Sequence, residues 1–475
     1  MAAGVGDSTT KASLVRGLGL MAAGAVVIGN VIGTGVFLKA RVMTCNVGSP
    51  GRVVAVWAVA GLLSLAGALT YAELAAMLPR AGGEYVFIRQ AYGALASFLF
   101  GWTRFFVAST GATAGLAAGF AIFINILMRG ALADHSVGFA LAGWHPSITA
   151  IQAVAVAAVT TVTFVNCAAV AVSGRIAFVL TIFKVALVLG VGLGAILLAD
   201  GSWTHFAMSS VSGSCLDVPA AAQGGVAGFG AAMLGALWAY TGWNEVTYVA
   251  EEVKNPQRNL PLAILSGLGI IAGLYVFVNA AYFYVLTPAE VAAVPASSSV
   301  ATAVVSRVLG AGAANAMAGV LAVSIFGALQ ISGLVCARIP YAMARDGIFF
   351  AGLARLSPRS RVPIRALLAQ GGWAIILVLS GSYDTLTDYA TFSVVIFVAL
   401  VTASVFIFRR TMPDAERAYR TWGYPVVPAL FLLVSGWLIV STLVTTPGRA
   451  FAGLGLMAMG LPFYWFWTRK TIRAS

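Results

Sequence analysis

The 475 residues are 60% hydrophobic and only 9% charged, with a mean hydropathy of +0.94; about a quarter charged is usual in water-soluble chains, so a soluble protein is excluded. The formal charge of +13 does not point to nucleic acid, because Lys and Arg are scattered one or two per polar segment instead of clustering on one face. Apolar runs of about 20 residues recur, the length that a membrane-crossing helix needs, and the short alternating segments of a transmembrane barrel are missing.

The chain is therefore expected to be an all-α polytopic membrane protein. Met1–Gly19 is polar, carries Lys11 and Arg16, and lacks a small-residue cleavage site, so it does not read as a signal peptide. Twelve spans are predicted, at 20–45, 52–78, 95–128, 148–171, 174–199, 226–251, 260–287, 312–343, 362–380, 388–408, 425–446 and 449–468. They form a single transmembrane domain over residues 1–475 without a soluble module. With the N-terminus inside, the inner segments hold about twenty Lys and Arg, among them Arg80, Arg89, Lys254, Arg359, Arg361, Arg409 and Arg417, against about six outside. This bias puts both termini in the cytoplasm, and Trp144, Trp203, Trp422 and Trp465 near span ends suit the membrane interface.

The first span contains VIGNVIGTGVFLKA, from Val27 to Ala40. Each helical glycine costs roughly 1 kcal/mol against alanine, and backbone groups freed in hydrocarbon need other partners. Two readings stand. Gly29-x-x-x-Gly33 fits the motif by which small residues let membrane helices pack closely; alternatively, the helix breaks and its open backbone holds a ligand.

Further along, Met77–Gly93, MLPRAGGEYVFIRQAYG, is too polar to span and is expected along the inner surface. A second inner connector, LSPRSRVPIRA, runs from Leu356 to Ala366. Glu73 and Arg104, in the second and third spans, read as members of structural ion pairs or as snorkelling head groups. Lys184 lies about ten residues into the fifth span, too deep to snorkel. Intramembrane ionisable groups are functional candidates by default: Lys184 either props the first span against the bundle, couples protons, or faces a watery vestibule without a specific task.

The sixth span, LGALWAYTGWNEVTYVAEEVKNPQRNLP from Leu234 to Pro261, is interrupted at Tyr240, Thr241, Gly242, Trp243 and Asn244. Glycine-interrupted hydrophobic segments at corresponding places in two halves of a chain point to a transporter binding site. A half-helix starting past Gly33 presents N–H groups and a positive dipole end, which suits a carboxylate. Carbonyls at Val31, Ile32, Trp238 and Thr241 suit an ammonium. Together they describe the head of an α-amino acid, with Val31, Ile32, Gly33, Thr34, Gly35, Trp238, Ala239, Tyr240, Thr241 and Asn244 as the substrate-binding candidates. Trp238 is either a lid over the substrate or a packing residue. Glu245 either senses substrate or proton, or caps the second half-helix.

The four cysteines, Cys45, Cys167, Cys215 and Cys336, show neither CxxC nor metal spacing, and no cofactor or metal is expected. Cys45 and Cys215 fall on the same outer face; whether they pair depends on loop geometry that a sequence does not reveal.

At these residues the chain resembles the amino acid–polyamine–organocation superfamily, and within it the L-type amino acid transporters and their bacterial relatives. GNVIGTGVF is similar to the family's first-span motif, with Thr34 in place of a serine. AYTGWNEVTYVAEEVKNPQRNLPLAI is similar to its sixth span and the loop after it, and YAELAAMLPRAGGEYVFIRQAYG and DAERAYRTWGYPVVP also match. The resemblance implies the LeuT-like 5+5 inverted repeat with discontinuous helices 1 and 6: a first repeat at 20–199, a second at 226–408, and helices 11 and 12 at 425–468 outside both. It assigns the substrate carboxylate to the N–H groups of Thr34 and Gly35, the amino group to carbonyls of Val31, Trp238 and Thr241, and the outer aromatic gate to Trp238. Lys184 matches a lysine near the emptied sodium site, which implies sodium-independent transport, commonly exchange. Thr241 replaces a frequent glycine, and Arg104 stands where an apolar or acidic residue is expected. The segment Arg129–Pro146 lacks the cysteine by which animal members attach a glycoprotein, so no covalent heavy chain is expected and a bacterial inner-membrane protein acting alone is implied.

The expectation is thus a sodium-independent carrier of neutral L-amino acids working by alternating access as an exchanger, with proton-coupled symport as the alternative. A membrane-embedded enzyme is disfavoured: His135, His145 and His205 all fall in outer loops, and no paired intramembrane carboxylates occur at helical spacing. A channel filter or a ring of like charges is also missing. A sensor that binds amino acid without moving it is the remaining rival.

Overall fold

Helix ends fall where proline, glycine and small hydroxyl residues punctuate the apolar runs. The structure, a computed structural model, describes residues 16–132, 135–138, 147–168, 173–209, 215, 218–295, 298–358, 362–380 and 383–472; Lys11, Trp144, His145, Arg359 and Arg361 lie outside these. In chain order the helices are α1 (Leu20–Val31), α2 (Gly35–Val47), α3 (Pro50–Met77), α4 (Glu84–Thr103), α5 (Ser109–Leu127), α6 (Ala150–Ala168), α7 (Ser173–Leu198), α8 (Gly225–Tyr240) and α9 (Pro256–Val285). There follow α10 (Pro288–Ala293), α11 (Val300–Leu309), α12 (Ala311–Cys336), α13 (Arg338–Arg345), α14 (Ile364–Ser380), α15 (Tyr383–Thr411), α16 (Val426–Thr445), α17 (Pro447–Ala458) and α18 (Gly460–Ile472). Pro50, Pro256 and Pro288 occupy first turns, where a missing N–H costs nothing. Thr287 and Glu290 close a reciprocal capping box on α10. Strands β1 (Ser136–Gly138) and β2 (Ser147–Thr149) form a small antiparallel ribbon with Val137 opposite Ile148.

Ten helical stretches among the described residues are long and apolar enough to cross a membrane. Of the expected spans, the sixth is split: α8 stops at Tyr240 after 16 residues, and a 3-10 helix runs over Trp243–Glu252. The ninth is α14, with 17 residues. Leu62, Leu197, Leu433 and Val444 are at least 67% exposed, a pattern that lipid tails satisfy and water does not. Trp203, Trp422 and Trp465 are also exposed, as interfacial rings should be.

The segment after α3 departs from a simple surface stretch. Glu84 starts α4, the helix bends at Gly93, and Glu84, Tyr85, Phe87 and Ile88 are buried beneath the bundle. The connector at 356–366 turns helical at Ile364. Five helix pairs carry much of the centre of the bundle: α3 on α9, α5 on α12, α2 on α8, and α1 on both α9 and α7.

Buried charges are paired across helices. Glu73 accepts from Arg409 Nη2 at 2.7 Å, from Arg417 Nε at 3.1 Å and from the Thr421 N–H at 2.7 Å, which ties α3 to α15 and the segment after it. Arg104, in a π-helical turn over Arg104–Ala108, pairs with Glu84 at 2.9 Å, and both are fully enclosed. The hydroxyls of Tyr71 and Tyr248 also donate to Glu84. Both residues are thus structural ion-pair members, as expected, with partners from other helices. Cys45 and Cys215 form a disulfide, which answers the question that the loop geometry had left open.

Candidate functional site

The first span does break. α1 ends at Val31, Ile32 leaves the helical region with φ −71° and ψ 89°, and α2 begins at Gly35. A helix terminus leaves carbonyls without intrahelical donors, and those of α1 find them in neighbouring side chains. Lys184 Nζ, fully buried on α7, donates to Gly29 O at 2.7 Å and to Ile32 O at 2.9 Å. Its ammonium thereby sits at the negative end of the α1 dipole, the favourable place for a cation. The Tyr275 hydroxyl, on α9, lies 3.0 Å from Val31 O and 3.1 Å from Ala239 O, so its one proton is shared between the two breaks.

At the start of α2, the N–H groups of Phe37 and Leu38 both go to Thr34 O, at 3.2 and 3.1 Å. Those of Gly35 and Val36 have no backbone partner among the described residues. This positive helix end faces a cavity and is suited to an anion. Glycine at 35 is required by proximity: a Cβ there would come 2.5 Å from Ala239 Cβ and 2.6 Å from Ala239 Cα. The two broken helices therefore touch backbone to backbone. Gly29 serves the packing role as well, because Thr181 Oγ1, which donates to Ala25 O, occupies the place where its Cβ would be.

The second break has a different shape. Thr241 is extended, at φ −64° and ψ 143°, and Gly242 takes φ +114°, a left-handed value that favours glycine. From there the 3-10 segment carries Glu245 toward α1, where Asn30 Nδ2 donates both to Gly242 O and to the Glu245 carboxylate. Glu245 therefore bridges the two breaks, and no side-chain cap closes the 3-10 helix. A second tie joins the same elements at their ends: Gly17 and Leu18 N–H donate to Glu252 O, and Lys254 N–H donates to Leu18 O.

Between the breaks lies a cavity of about 370 Å³. Of the ten candidate substrate residues, Val31, Gly33, Thr34, Gly35, Trp238, Ala239 and Thr241 line it. Trp238 is 7% exposed, its Nε1 lies 3.4 Å from Thr34 Oγ1, and its ring packs beside Gly115 and Thr387. Ile32 does not line the cavity; its carbonyl faces Lys184. Tyr240 and Asn244 point instead into a neighbouring, mostly apolar chamber of about 480 Å³ between α3, α8, α15 and α16. Thr241 lines both spaces. Residues outside those ten also contribute: Gly242 and Glu245, marked in the sequence at the second break, together with Asn30 from the first break, Ala112 and Leu116 from α5, and Ser332 from α12. Asn30 had a legible signal, a lone amide within the quoted glycine stretch. Ala112, Leu116, Ser332 and Tyr275 had none, because small, apolar and aromatic residues fill every span.

Chemically, the cavity offers free N–H groups at one wall and backbone carbonyls and a carboxylate at another. It holds no cluster of His, Cys, Asp and Glu suited to a metal ion among the described residues.

Comparison with known proteins agrees with this geometry. The family model described as amino acid permease matches residues 18–466. The b(0,+)-type amino acid transporter 1 of Mus musculus is 30% identical over 454 residues, covering 95% of this chain and 88% of that one. The serine/threonine exchanger SteT of Bacillus subtilis (strain 168) is 29% identical over 463 residues, covering 96% and 98%. The human cystine/glutamate transporter is 28% identical over 466 residues, covering 97% and 87%. All three relatives are named as transporters or exchangers. With a matched model over nearly its whole length and a broken-helix cavity at its centre, the chain belongs to the amino acid permease family of the amino acid–polyamine–organocation superfamily: a multi-pass membrane protein that transports amino acids.

Proposed function

We propose that the protein is a sodium-independent exchanger of neutral L-amino acids that works by alternating access. The observation that carries this reading is Lys184 Nζ on Gly29 O and Ile32 O. A fixed ammonium already satisfies the carbonyl end of the broken first helix, where a carrier coupled to sodium would seat the metal ion. The substrate carboxylate is assigned to the N–H groups of Thr34 and Gly35, and the amino group to carbonyls of Val31, Trp238 and Thr241. Val31 O and Ile32 O have Tyr275 and Lys184 as neighbours, so Val31 offers its second lone pair and Ile32 acts through Lys184. Trp238 is the outer gate, and Tyr240 and Asn244 act from the neighbouring chamber. The relative named a serine/threonine exchanger supports the exchange mode.

The remaining topology belongs to the same proposal. Twelve spans form two inverted repeats, at 20–199 and 226–408, with the last two helices outside, and both termini face the cytoplasm of a bacterial cell. The Cys45–Cys215 disulfide supports this orientation, since such bonds persist on the oxidising side of a membrane. It also supports a carrier without a covalent heavy chain: two of the four cysteines are joined to each other, Cys336 is buried and Cys167 is half-buried within α6.

The test is transport by purified protein in liposomes. Uptake of labelled neutral amino acid is expected to require amino acid inside and to be indifferent to replacing sodium by potassium. Undiminished efflux into amino-acid-free medium would remove exchange, and sodium dependence would remove the role given to Lys184. Accumulation driven by a pH gradient alone would install proton-coupled symport instead, and binding without any flux would mark a sensor.

A further inference from the structure

Among the described residues that line the cavity, Glu245 is the one ionisable side chain; from outside the lining, the Arg104 guanidinium and its partner Glu84 act on it electrostatically but already pair with each other. It is 3% exposed. An ionised carboxylate offers about four acceptor positions. Asn30 Nδ2 fills one, and the Cys336 thiol supplies a weak second donor. The other polar groups around it are already engaged. Thr241 Oγ1 donates to Leu237 O at 2.9 Å, and Thr34 Oγ1 lies against the Trp238 indole N–H. A buried carboxylate short of donors gains from any donor brought to it.

We infer that Glu245 reads the substrate side chain, and that the cavity selects short neutral side chains carrying a hydrogen-bond donor, a hydroxyl, over apolar side chains of equal size. The inference rests on the reading of the cavity as the amino acid site, and adds to it the class of side chain accepted. The physical argument is a matched pair. Serine and L-2-aminobutyrate have the same shape, with hydroxyl exchanged for methyl. An apolar pocket favours the methyl, because burying a hydroxyl without a partner costs free energy. A carboxylate with open acceptor positions reverses that order, and an acidic side chain meets a like charge.

Binding to the full-length purified protein decides the matter, measured by calorimetry at one pH with serine, L-2-aminobutyrate and aspartate. Serine is expected to bind about tenfold or more tighter than L-2-aminobutyrate, as befits a hydrogen bond to a charged acceptor, and aspartate weakest. In Glu245→Gln the serine preference is expected to fall to within about twofold. L-2-aminobutyrate binding as tightly as serine to the unsubstituted protein would overturn the inference, whether or not the variant folds. So would a folded E245Q that keeps the tenfold ratio. If none of the amino acids binds, the assignment of the cavity itself fails, an outcome distinct from binding without discrimination.

Discussion

The two breaks look alike in sequence and differ in construction. The one after Val31 is braced from behind: Lys184 holds Gly29 O and Ile32 O, Tyr275 reaches Val31 O, and Gly35 lies flush against Ala239. The one after Tyr240 is open on both sides. Thr241 separates two chambers, Gly242 turns left-handed, and Trp238, Thr241 and Glu245 present side chains to the cavity. The difference suggests a division of labour. A braced backbone suits the part of the ligand that every amino acid shares, while variable side chains suit the part that differs.

That division can be broken most severely at Gly35. Gly35→Val puts branched carbon into the space held by Ala239 backbone, and overpacking of this kind costs about 1–3 kcal/mol or more. The expected outcome is loss of ligand-induced thermal stabilisation together with a lowered melting temperature. A variant that still shows the ligand shift would mean that backbone at the first break is not the recognition surface.

Lys184→Ala comes next. It leaves two buried carbonyls without their donor, each worth about 1–3 kcal/mol, and removes the cation at the α1 terminus. Exchange in liposomes is expected to fall by about tenfold or more, with expression and oligomeric profile retained. Wild-type exchange rates would deny the lysine its bracing role.

Thr241→Gly sharpens the comparison from the other side. Removing the side chain between the chambers opens the cavity toward the neighbouring chamber, lined by residues such as Leu63, Val394 and Phe431. Competition assays are expected to show the ratio of phenylalanine to alanine binding rising roughly tenfold, the size of effect that hydrophobic side-chain contacts supply. An unchanged ratio would mean that the two spaces stay separate.

Tyr275→Phe is the mildest. It removes one hydroxyl shared by Val31 O and Ala239 O, and the expected loss is about 1 kcal/mol of stability, read as a melting shift of a few degrees, with a few-fold weaker binding. Equal loss for serine and L-2-aminobutyrate is expected, since this contact serves the shared head of the ligand.

Much of this site was legible before any coordinates. Glycines amid β-branched residues marked the first break, Gly242 beside polar and aromatic residues marked the second, and depth in the membrane singled out Lys184. What failed was the arithmetic of faces beyond the breaks. Tyr240 and Asn244 follow Trp238 closely in sequence yet face the neighbouring chamber. An extended Thr241, a left-handed Gly242 and a 3-10 turn reset the phase on which helical spacing depends. Arg104 was legible as an ion-pair member, but its partner Glu84 was not, because α4 bends at Gly93 and brings its first turn back beneath the bundle.

The sequence by itself determined that the chain lives in a membrane and where two of its helices come undone, because hydrocarbon taxes each polar group and each glycine locally, one residue at a time. Only the tertiary structure decided what the breaks hold. Asn30 meets Glu245 across 215 residues of chain, and Lys184 meets Gly29 across 155. Such pairings exist only once packing has set the distance between helices, and no local pattern encodes that distance.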